Sequence, residues 1–124
     1  VAMASGVATL ALRAPDDFYV KLEQATTTLV EGFREIARAH NIPLATNHVP
    51  GMFGLFFTEA EGITNFSQAT ACDSERFKQF FHGMLQAGVY LARSPYEAGF
   101  VSSSHDAVAI ERTLAAAAKV MADL

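Results

Sequence analysis

One carboxylate of the sequence stands in an unusual setting, at Glu97 within residues 96–100 (YEAGF). Aromatic residues flank this segment at both ends, and a charged group among apolar neighbours needs a partner for its charge. Two interpretations stay open from the residues alone. Glu97 either binds a ligand in a cleft, or it is a turn glutamate that water solvates.

Other residue types that could do chemistry show no pattern typical of a site. Residues 102–106 (SSSHD) contain the three residue types of a catalytic triad, but adjacent residues point in different directions, so we expect a helix cap instead. Cys72 has no base indicated nearby, and we expect a small packed residue. The sequence contains no phosphate-binding loop and no zinc motif, so no metal site is expected. Four histidines are scattered along the chain, at His40, His48, His82 and His105.

Composition limits the class of protein. The chain has 124 residues, 51% hydrophobic and 18% charged, which suits one compact domain with a substantial core. A formal net charge of -4 without a Lys/Arg run argues against a nucleic acid or an anionic membrane as partner. No apolar stretch approaches the roughly 20 residues of a membrane span, and the single cysteine favours a reducing compartment. We therefore expect a single cytoplasmic domain over residues 1–124.

Four helices are predicted from apolar spacing and from capping residues. In the longest one, six apolar residues between Phe18 and Ile36 recur at spacings of three or four, which is typical of an amphipathic helix. Asp73 and Asp106 are suitable N-caps, and Gly88 suits the left-handed residue that ends a helix. The predicted helices cover residues 2–13, 18–40, 74–87 and 107 onwards.

Strands are predicted on both sides of Pro50 and Gly51. Residues 44–49 form the first, and the nearly all-apolar residues 52–58 form a second that we expect to be buried on both faces. Because a Pro-Gly pair favours a type II turn, whose twist suits a tight hairpin poorly, a looser connection is expected. The order predicts an α+β fold with helices packed on one face of a small, mainly antiparallel sheet. The predicted fold also includes a long loop at residues 59–72 and short strands at residues 89–92 and 100–102.

Four stretches of the chain resemble the C-terminal domain of glutamate-1-semialdehyde 2,1-aminomutases. They are residues 51–58, 71–77, 88–92 and 97–102, and they occur in the family's order and at its spacing. The family belongs to the class III aminotransferases, which are fold-type I pyridoxal-phosphate (PLP) enzymes. The resemblance implies that this chain is the small C-terminal domain of such an enzyme. Residues 1–13 would then connect it to a large cofactor-binding domain.

The resemblance also implies an activity for the full-length enzyme. The enzymes of this family are homodimers that isomerise glutamate 1-semialdehyde to 5-aminolevulinate in tetrapyrrole (porphyrin and haem) biosynthesis. They use pyridoxal and pyridoxamine phosphate. The Schiff-base lysine of the family lies upstream of residue 1. The three lysines of this chain, Lys21, Lys78 and Lys119, all fall in predicted helices. The fragment alone is therefore expected to bind no cofactor, to contain no catalytic residue and to be inactive.

The resemblance also implies which residues of this chain belong to the site. Glu97 matches a glutamate that reaches toward the active site, where it would meet an amine of the substrate. Ser94 and Gly99 flank it and would set its position, and Gly51, Met52 and Arg93 would line the cleft.

Arg93 departs from the family's pattern. The family usually has proline at this position, so Arg93 adds a cation close to Glu97. Arg93 would either pair with Glu97 or hold a substrate carboxylate, and the second arrangement would indicate an aminotransferase. The open alternatives are thus another class III aminotransferase and a non-enzymatic binding module, although no aromatic or basic surface stripe supports the module.

Overall fold

The computed structural model describes residues 1–124 and contains five helices and three strands. The strands form one antiparallel sheet in the order β1-β2-β3. Helices α2 and α4 pack against one face of the sheet, and α5 packs against both helices, so the predicted α+β class is confirmed. The helices are α1 (Ala2–Arg13), α2 (Phe18–Ala39), α3 (Phe66–Thr70), α4 (Ser74–Gln86) and α5 (Ala107–Met121), and the strands are β1 (Leu44–Val49), β2 (Met52–Phe57) and β3 (Gly99–Phe100).

The core lies between the sheet and the helices α2, α4 and α5. Its central aromatic residues are Phe33 of α2, Phe57 of β2 and Phe80 of α4, all fully buried. The ring of Phe80 meets Phe33 edge-on at a centroid distance of 6.1 Å and Phe57 at 5.6 Å. Edge-to-face pairs of this kind stabilise a core beyond the burial of their area. The apolar faces predicted for α2 and α4 therefore contact each other in the core.

A clamp on Gly51 joins the β1–β2 hairpin to helix α2. The buried hydroxyl of Thr26 accepts the N–H of Gly51 at 2.9 Å and donates to the carbonyl of Leu22 at 2.7 Å. On its other side, the carbonyl of Gly51 accepts the N–H of Val101 at 2.9 Å. Gly51 has a φ of +82°, which the third residue of a type II turn requires and which glycine adopts without strain.

The expected looser connection between the two strands is wrong. Val49 pairs directly with Met52, so Pro50 and Gly51 are the only residues of the turn. The poor twist match of the turn is offset by the two hydrogen bonds that hold Gly51 from outside the hairpin.

Strand β2 is buried on one face only, which corrects the prediction of burial on both. Phe53, Leu55 and Phe57 face the core and are buried, whereas Met52 is 40% exposed on the opposite face. On that opposite face, a small cluster of Ile63 and Ala69 with β1 covers one end of the sheet. The other end stays open.

Helix α3 lies within the segment that was predicted as a loop. Asn65 caps it by accepting the N–H of Gln68 at 3.0 Å, and the Gln68 side chain accepts the N–H of Thr64 at 2.8 Å. This reciprocal arrangement resembles a capping box. The spacing of Asn65 and Gln68 is therefore a signal that could have indicated the helix.

The strand predicted at residues 89–92 does not form. Helix α4 ends in a Schellman motif, in which the N–H of Val89 bonds to the carbonyl of Met84 at 2.8 Å and that of Gly88 bonds to Leu85 at 3.0 Å. Gly88 has the left-handed φ of +86° that this ending requires. The N–H that a strand at Val89 would have used is thus already bonded.

Helix α1 makes no buried contact with the rest of the chain. Met3, Val7, Leu10 and Leu12 are all more than half exposed. An isolated helix of 12 residues is only marginally stable in water, so we expect another surface to pack against this apolar face. Its role as the connection to another domain stays a prediction. No helix of the structure is both long enough and apolar enough to cross a membrane.

Replacing Thr26 by valine removes the clamp hydroxyl with little change of shape. The buried N–H of Gly51 then has no partner, so we expect the free energy of unfolding to fall by about 1–3 kcal/mol. Urea denaturation of the chain measures this loss. Thr28→Val is the matched control, because Thr28 makes the same bond to Gln24 at 2.8 Å but is exposed and accepts no bond from another element. Equal losses in both variants would show that the clamp does not stabilise the fold.

Candidate functional site

The open end of the sheet contains a cavity of about 290 Å³. Its floor is the outer face of the hairpin, where Met52 and Phe56 contribute apolar surface. Its wall is the loop of residues 95–98, which includes Glu97. An apolar floor with a few polar groups at its rim is the usual composition of a small-molecule site.

The position of Glu97 is set by a turn that Ser94 organises. The carbonyl of Ser94 accepts the N–H of Glu97 at 3.1 Å, and its hydroxyl accepts the N–H of Tyr96 at 3.2 Å. The ring of Tyr96 packs against Phe66 of α3 at 5.8 Å, which ties the loop to the covered end of the sheet. The Glu97 side chain is exposed and takes part in none of the four ion pairs of the structure. Its carboxylate is therefore available to a ligand.

Gly99 brings the backbone of this loop close to the sheet. It pairs with Phe53 of β2, and a Cβ atom built on Gly99 would lie 2.3 Å from the Phe53 ring. Any side chain at this position would displace the Phe53 ring, so glycine favours the pairing of β3 at this point. The close approach places Glu97, two residues earlier, beside both the cavity and the inner pocket that Phe53 and Leu91 line.

Two polar residues at the end of β1 also line the cavity, and neither was selected from the sequence. The Asn47 side chain donates to the carbonyl of Ile63 at 2.7 Å, and His48 Nε2 lies 3.3 Å from the hydroxyl of Thr27. His48, one of the four scattered histidines, is exposed. The alternation of β1 is a signal that could have placed Asn47 on the outer face, opposite Gly54.

Arg93 contacts Tyr90 and not Glu97. Its Nε donates to the Tyr90 hydroxyl at 3.0 Å, and this bond raises the pKa of Arg93 above its ordinary value. The ring of Tyr90 in turn packs against the buried ring of Phe81 at 6.3 Å. The pairing with Glu97 that would have occupied the carboxylate is absent.

The structure thus brings together part of the set selected from the sequence. Glu97 and Met52 line the cavity, while Ser94 and Gly99 hold the loop that contains Glu97. Gly51 is buried within the turn, with both its backbone groups bonded to other elements, and neither Gly51 nor Arg93 lines the cavity. The roles of these residues toward a substrate stay predictions.

The Ser-His-Asp run at residues 102–106 contains a helix cap, as expected. It also contains a side-chain contact that was not expected, because His105 Nδ1 lies 3.0 Å from the hydroxyl of Ser102, three residues earlier. Nδ1 also accepts the backbone N–H of Ser102 at 2.9 Å. Asp106 caps helix α5 by accepting the N–H of Ala109 at 2.8 Å, which confirms the predicted cap. The pair thus has no orienting carboxylate, and it stabilises a turn.

Comparisons with known proteins identify the fold. No protein-family model matches the chain. An omega-transaminase from Sphaerobacter thermophilus superposes with a TM-score of 0.76 at 15% identity, over 98% of this chain and 27% of that one. The FumI protein of Sphingopyxis sp. MTA144 in its PLP internal aldimine form, at 20% identity, and a PLP-bound transaminase, at 18%, each give a TM-score of 0.76. Each of these two superpositions covers 98% of this chain and 26% of the other protein.

These likenesses show that the chain has the fold of a part of PLP-dependent transaminases. The chain spans about a quarter of the length of the structures that it matches. At identities of 20% or less, the similarity establishes the fold and nothing about the reaction.

The residues of this chain do not fit a PLP site of their own. Lys21 lies on α2 and pairs with Asp17, and Lys78 lies on α4 and pairs with Glu75 at 2.8 Å. Lys119 lies in the last turn of α5. None of the three lines the cavity beside Glu97, and no three or more His, Cys, Asp or Glu residues cluster to hold a metal ion. That a PLP group is held by residues outside this chain stays a prediction.

Substituting Gly99 by alanine tests the close approach of the loop. The new methyl group collides with the Phe53 ring, which is only 7% exposed and must shift within the core, so we expect about 1–3 kcal/mol of destabilisation in urea denaturation. Gly62→Ala is the control, because nothing lies within 4 Å of its added Cβ. In a Phe53→Leu background the cost of Gly99→Ala should shrink. An undiminished cost there would locate the strain elsewhere.

Cys72 should behave as an unreactive thiol. It is partly buried, its Sγ lies 3.3 Å from the Gln68 carbonyl, and burial raises the pKa of the Cys72 thiol. Because the thiolate is the nucleophile, alkylation by iodoacetamide should be slower in the folded chain than in urea, and its midpoint should lie at higher pH. A midpoint below about 8.5, the ordinary value for cysteine, would contradict this and indicate an activated thiol.

Proposed function

We propose that this chain is the C-terminal small domain of a PLP-dependent glutamate-1-semialdehyde 2,1-aminomutase. The full-length enzyme would be a cytoplasmic homodimer that isomerises glutamate 1-semialdehyde to 5-aminolevulinate for tetrapyrrole biosynthesis. Its PLP and pyridoxamine phosphate forms would be bound by a large domain, so the fragment alone is inactive. The observation that carries the proposal is Glu97, an unpaired carboxylate beside a cavity in a fold shared with transaminases.

Glu97 would contribute by binding an amine of the substrate. The bound cofactor supplies the electron sink for moving amino groups, and the protein orients the groups that react. An ionised carboxylate attracts an ammonium group and accepts its hydrogen bonds. The turn at Ser94 and the close packing of Gly99 hold Glu97 in place before a ligand arrives, which reduces the ordering cost of binding.

A second candidate is a class III aminotransferase with another amine substrate. The similarity to an omega-transaminase favours it, because the shared fold is equally compatible with transfer to an external acceptor. The sequence stretches of residues 51–58 and 97–102 favour the aminomutase. The two candidates differ in whether the amine returns to the same carbon skeleton.

Glu97→Gln in the full-length protein tests the proposal. The amide keeps the size of the side chain and removes its charge, and a hydrogen bond to a charged group is worth about 1.5–3 kcal/mol. We therefore expect kcat/KM for 5-aminolevulinate formation from glutamate 1-semialdehyde to fall by about 10- to 100-fold. The assay mixes the protein with pyridoxamine phosphate and follows product and cofactor absorbance together.

Glu111→Gln is the matched control, because Glu111 lies on α5 in a different groove. It should leave kcat/KM unchanged. No 5-aminolevulinate, with net conversion of an external aldehyde or keto acid to an amine, would establish the second candidate. Full activity of Glu97→Gln would remove Glu97 from the site, and the absence of both reactions would overturn the proposed function.

A further inference from the structure

The side-chain amide of Asn47 lies at the boundary between the covered and the open end of the outer sheet face. Its Nδ2 donates at 2.7 Å to the carbonyl of Ile63, a residue of the covered end. A carbonyl oxygen accepts hydrogen bonds and donates none, so this contact fixes which end of the amide is the nitrogen. The other end, Oδ1, takes part in no hydrogen bond within the chain. The amide is therefore anchored by its donor and keeps a free acceptor.

Gly54 leaves the floor beside Asn47 open. It is the cross-strand partner of Asn47 on β2, and it has no side chain that could cover the amide. A Cβ atom built on Gly54 would lie 2.9 Å from the ring of Phe56, so that ring occupies the space that a side chain would need. Asn47, Gly54 and Phe56 all line the cavity that Glu97 also lines. The free acceptor of Asn47 and the carboxylate of Glu97 thus belong to one cavity.

The charges around this cavity favour a cationic ligand. The 11 residues that line it include no lysine and no arginine, and Glu97 is their only carboxylate. An anionic ligand would be repelled by Glu97 and would find no Lys or Arg to bind. A protonated primary amine is attracted by Glu97, and it has three N–H donors, more than one acceptor can use.

We propose that Asn47 Oδ1 accepts a second hydrogen bond from the ammonium group that Glu97 binds, and that this bond selects primary amines. The inference rests on the proposed function, because it takes Glu97 as the amine site. A protonated tertiary amine has a single N–H donor, which Glu97 would use, so it gains nothing from Asn47. The bond from Nδ2 to Ile63 orients the amide before a ligand arrives, which reduces the ordering cost of binding.

Binding of butylamine and of N,N-dimethylbutylamine to the full-length protein tests the inference. The protein is loaded with pyridoxamine phosphate, which has no aldehyde for an amine to react with. Both probes are cations near pH 7 with the same chain, and only butylamine has more than one N–H donor. Calorimetry should show about tenfold tighter binding of butylamine to the wild type. In Asn47→Leu, which keeps the approximate size of the side chain, this preference should fall by about three- to tenfold.

Asn47→Asp separates the acceptor from the anchor. Aspartate keeps an acceptor oxygen in the cavity but cannot donate to the carbonyl of Ile63. It should therefore keep the preference for butylamine, and it decides the question even if Asn47→Leu does not fold. Loss of the preference in Asn47→Asp would overturn the inference, because it would show that only the anchor matters. An unchanged preference in Asn47→Leu, or a wild type without any preference, would also overturn it.

Glu97→Gln separates this inference from the proposed function. Glutamine has no charge but keeps an acceptor oxygen, so both probes should bind more weakly by a similar factor while the preference for butylamine remains. Unchanged binding of both probes in Glu97→Gln would contradict the amine site of the proposed function. A preference that still falls in Asn47→Leu would then leave the Asn47 acceptor standing.

Discussion

The hydrogen bonds on Gly51 are the constraint on which the geometry of the domain depends. They join three parts of the chain that are far apart in sequence: helix α2 through Thr26, the hairpin turn through Gly51, and the segment after β3 through Val101. Thr26 and Val101 each satisfy a backbone group of the turn that would otherwise be buried without a partner, which costs about 1–3 kcal/mol. The same bonds fix where β3 lies along β2. The position of Glu97, two residues before β3, follows from that register.

The site exists because the sheet is covered unequally on its two faces. The inner face is closed by α2 and α4, while the outer face is covered at one end only, by Ile63 and Ala69. The loop of residues 93–98 borders the uncovered end and faces solvent. Polar groups can therefore lie next to the apolar floor of the cavity without the cost of burying an unpaired charge. Arg93 and Glu97 form no ion pair there, since Arg93 is bonded to the neutral Tyr90 hydroxyl and Glu97 is exposed to solvent.

Local signals in the sequence were enough for the long elements. The apolar spacing of α2 and the caps Asp73 and Asp106 depend on neighbours three or four residues away, and the structure confirms them. One error arose where a distant group decides, and another where a local helix ending decides. The tight turn at Gly51 depends on Thr26, and the loss of the strand at Val89 depends on a helix ending that uses its N–H. At the site, the motif indicated Glu97, but the link from Arg93 to Tyr90 is a side-chain contact that no spacing rule contains.

The exposure of Glu97 determines what the domain can do by itself. Two opposite charges 4 Å apart attract by about 1 kcal/mol in water and by about 4 kcal/mol at the effective dielectric constant near 20 of a protein surface. In this chain Glu97 is solvated, so an amine gains little from it. The aromatic side chains around the site are also exposed, Tyr96 at 51% and Phe66 at 71%. A second surface that covered them would exclude water from the carboxylate and strengthen its attraction for an amine. Such a cover would therefore determine how strongly Glu97 attracts an amine.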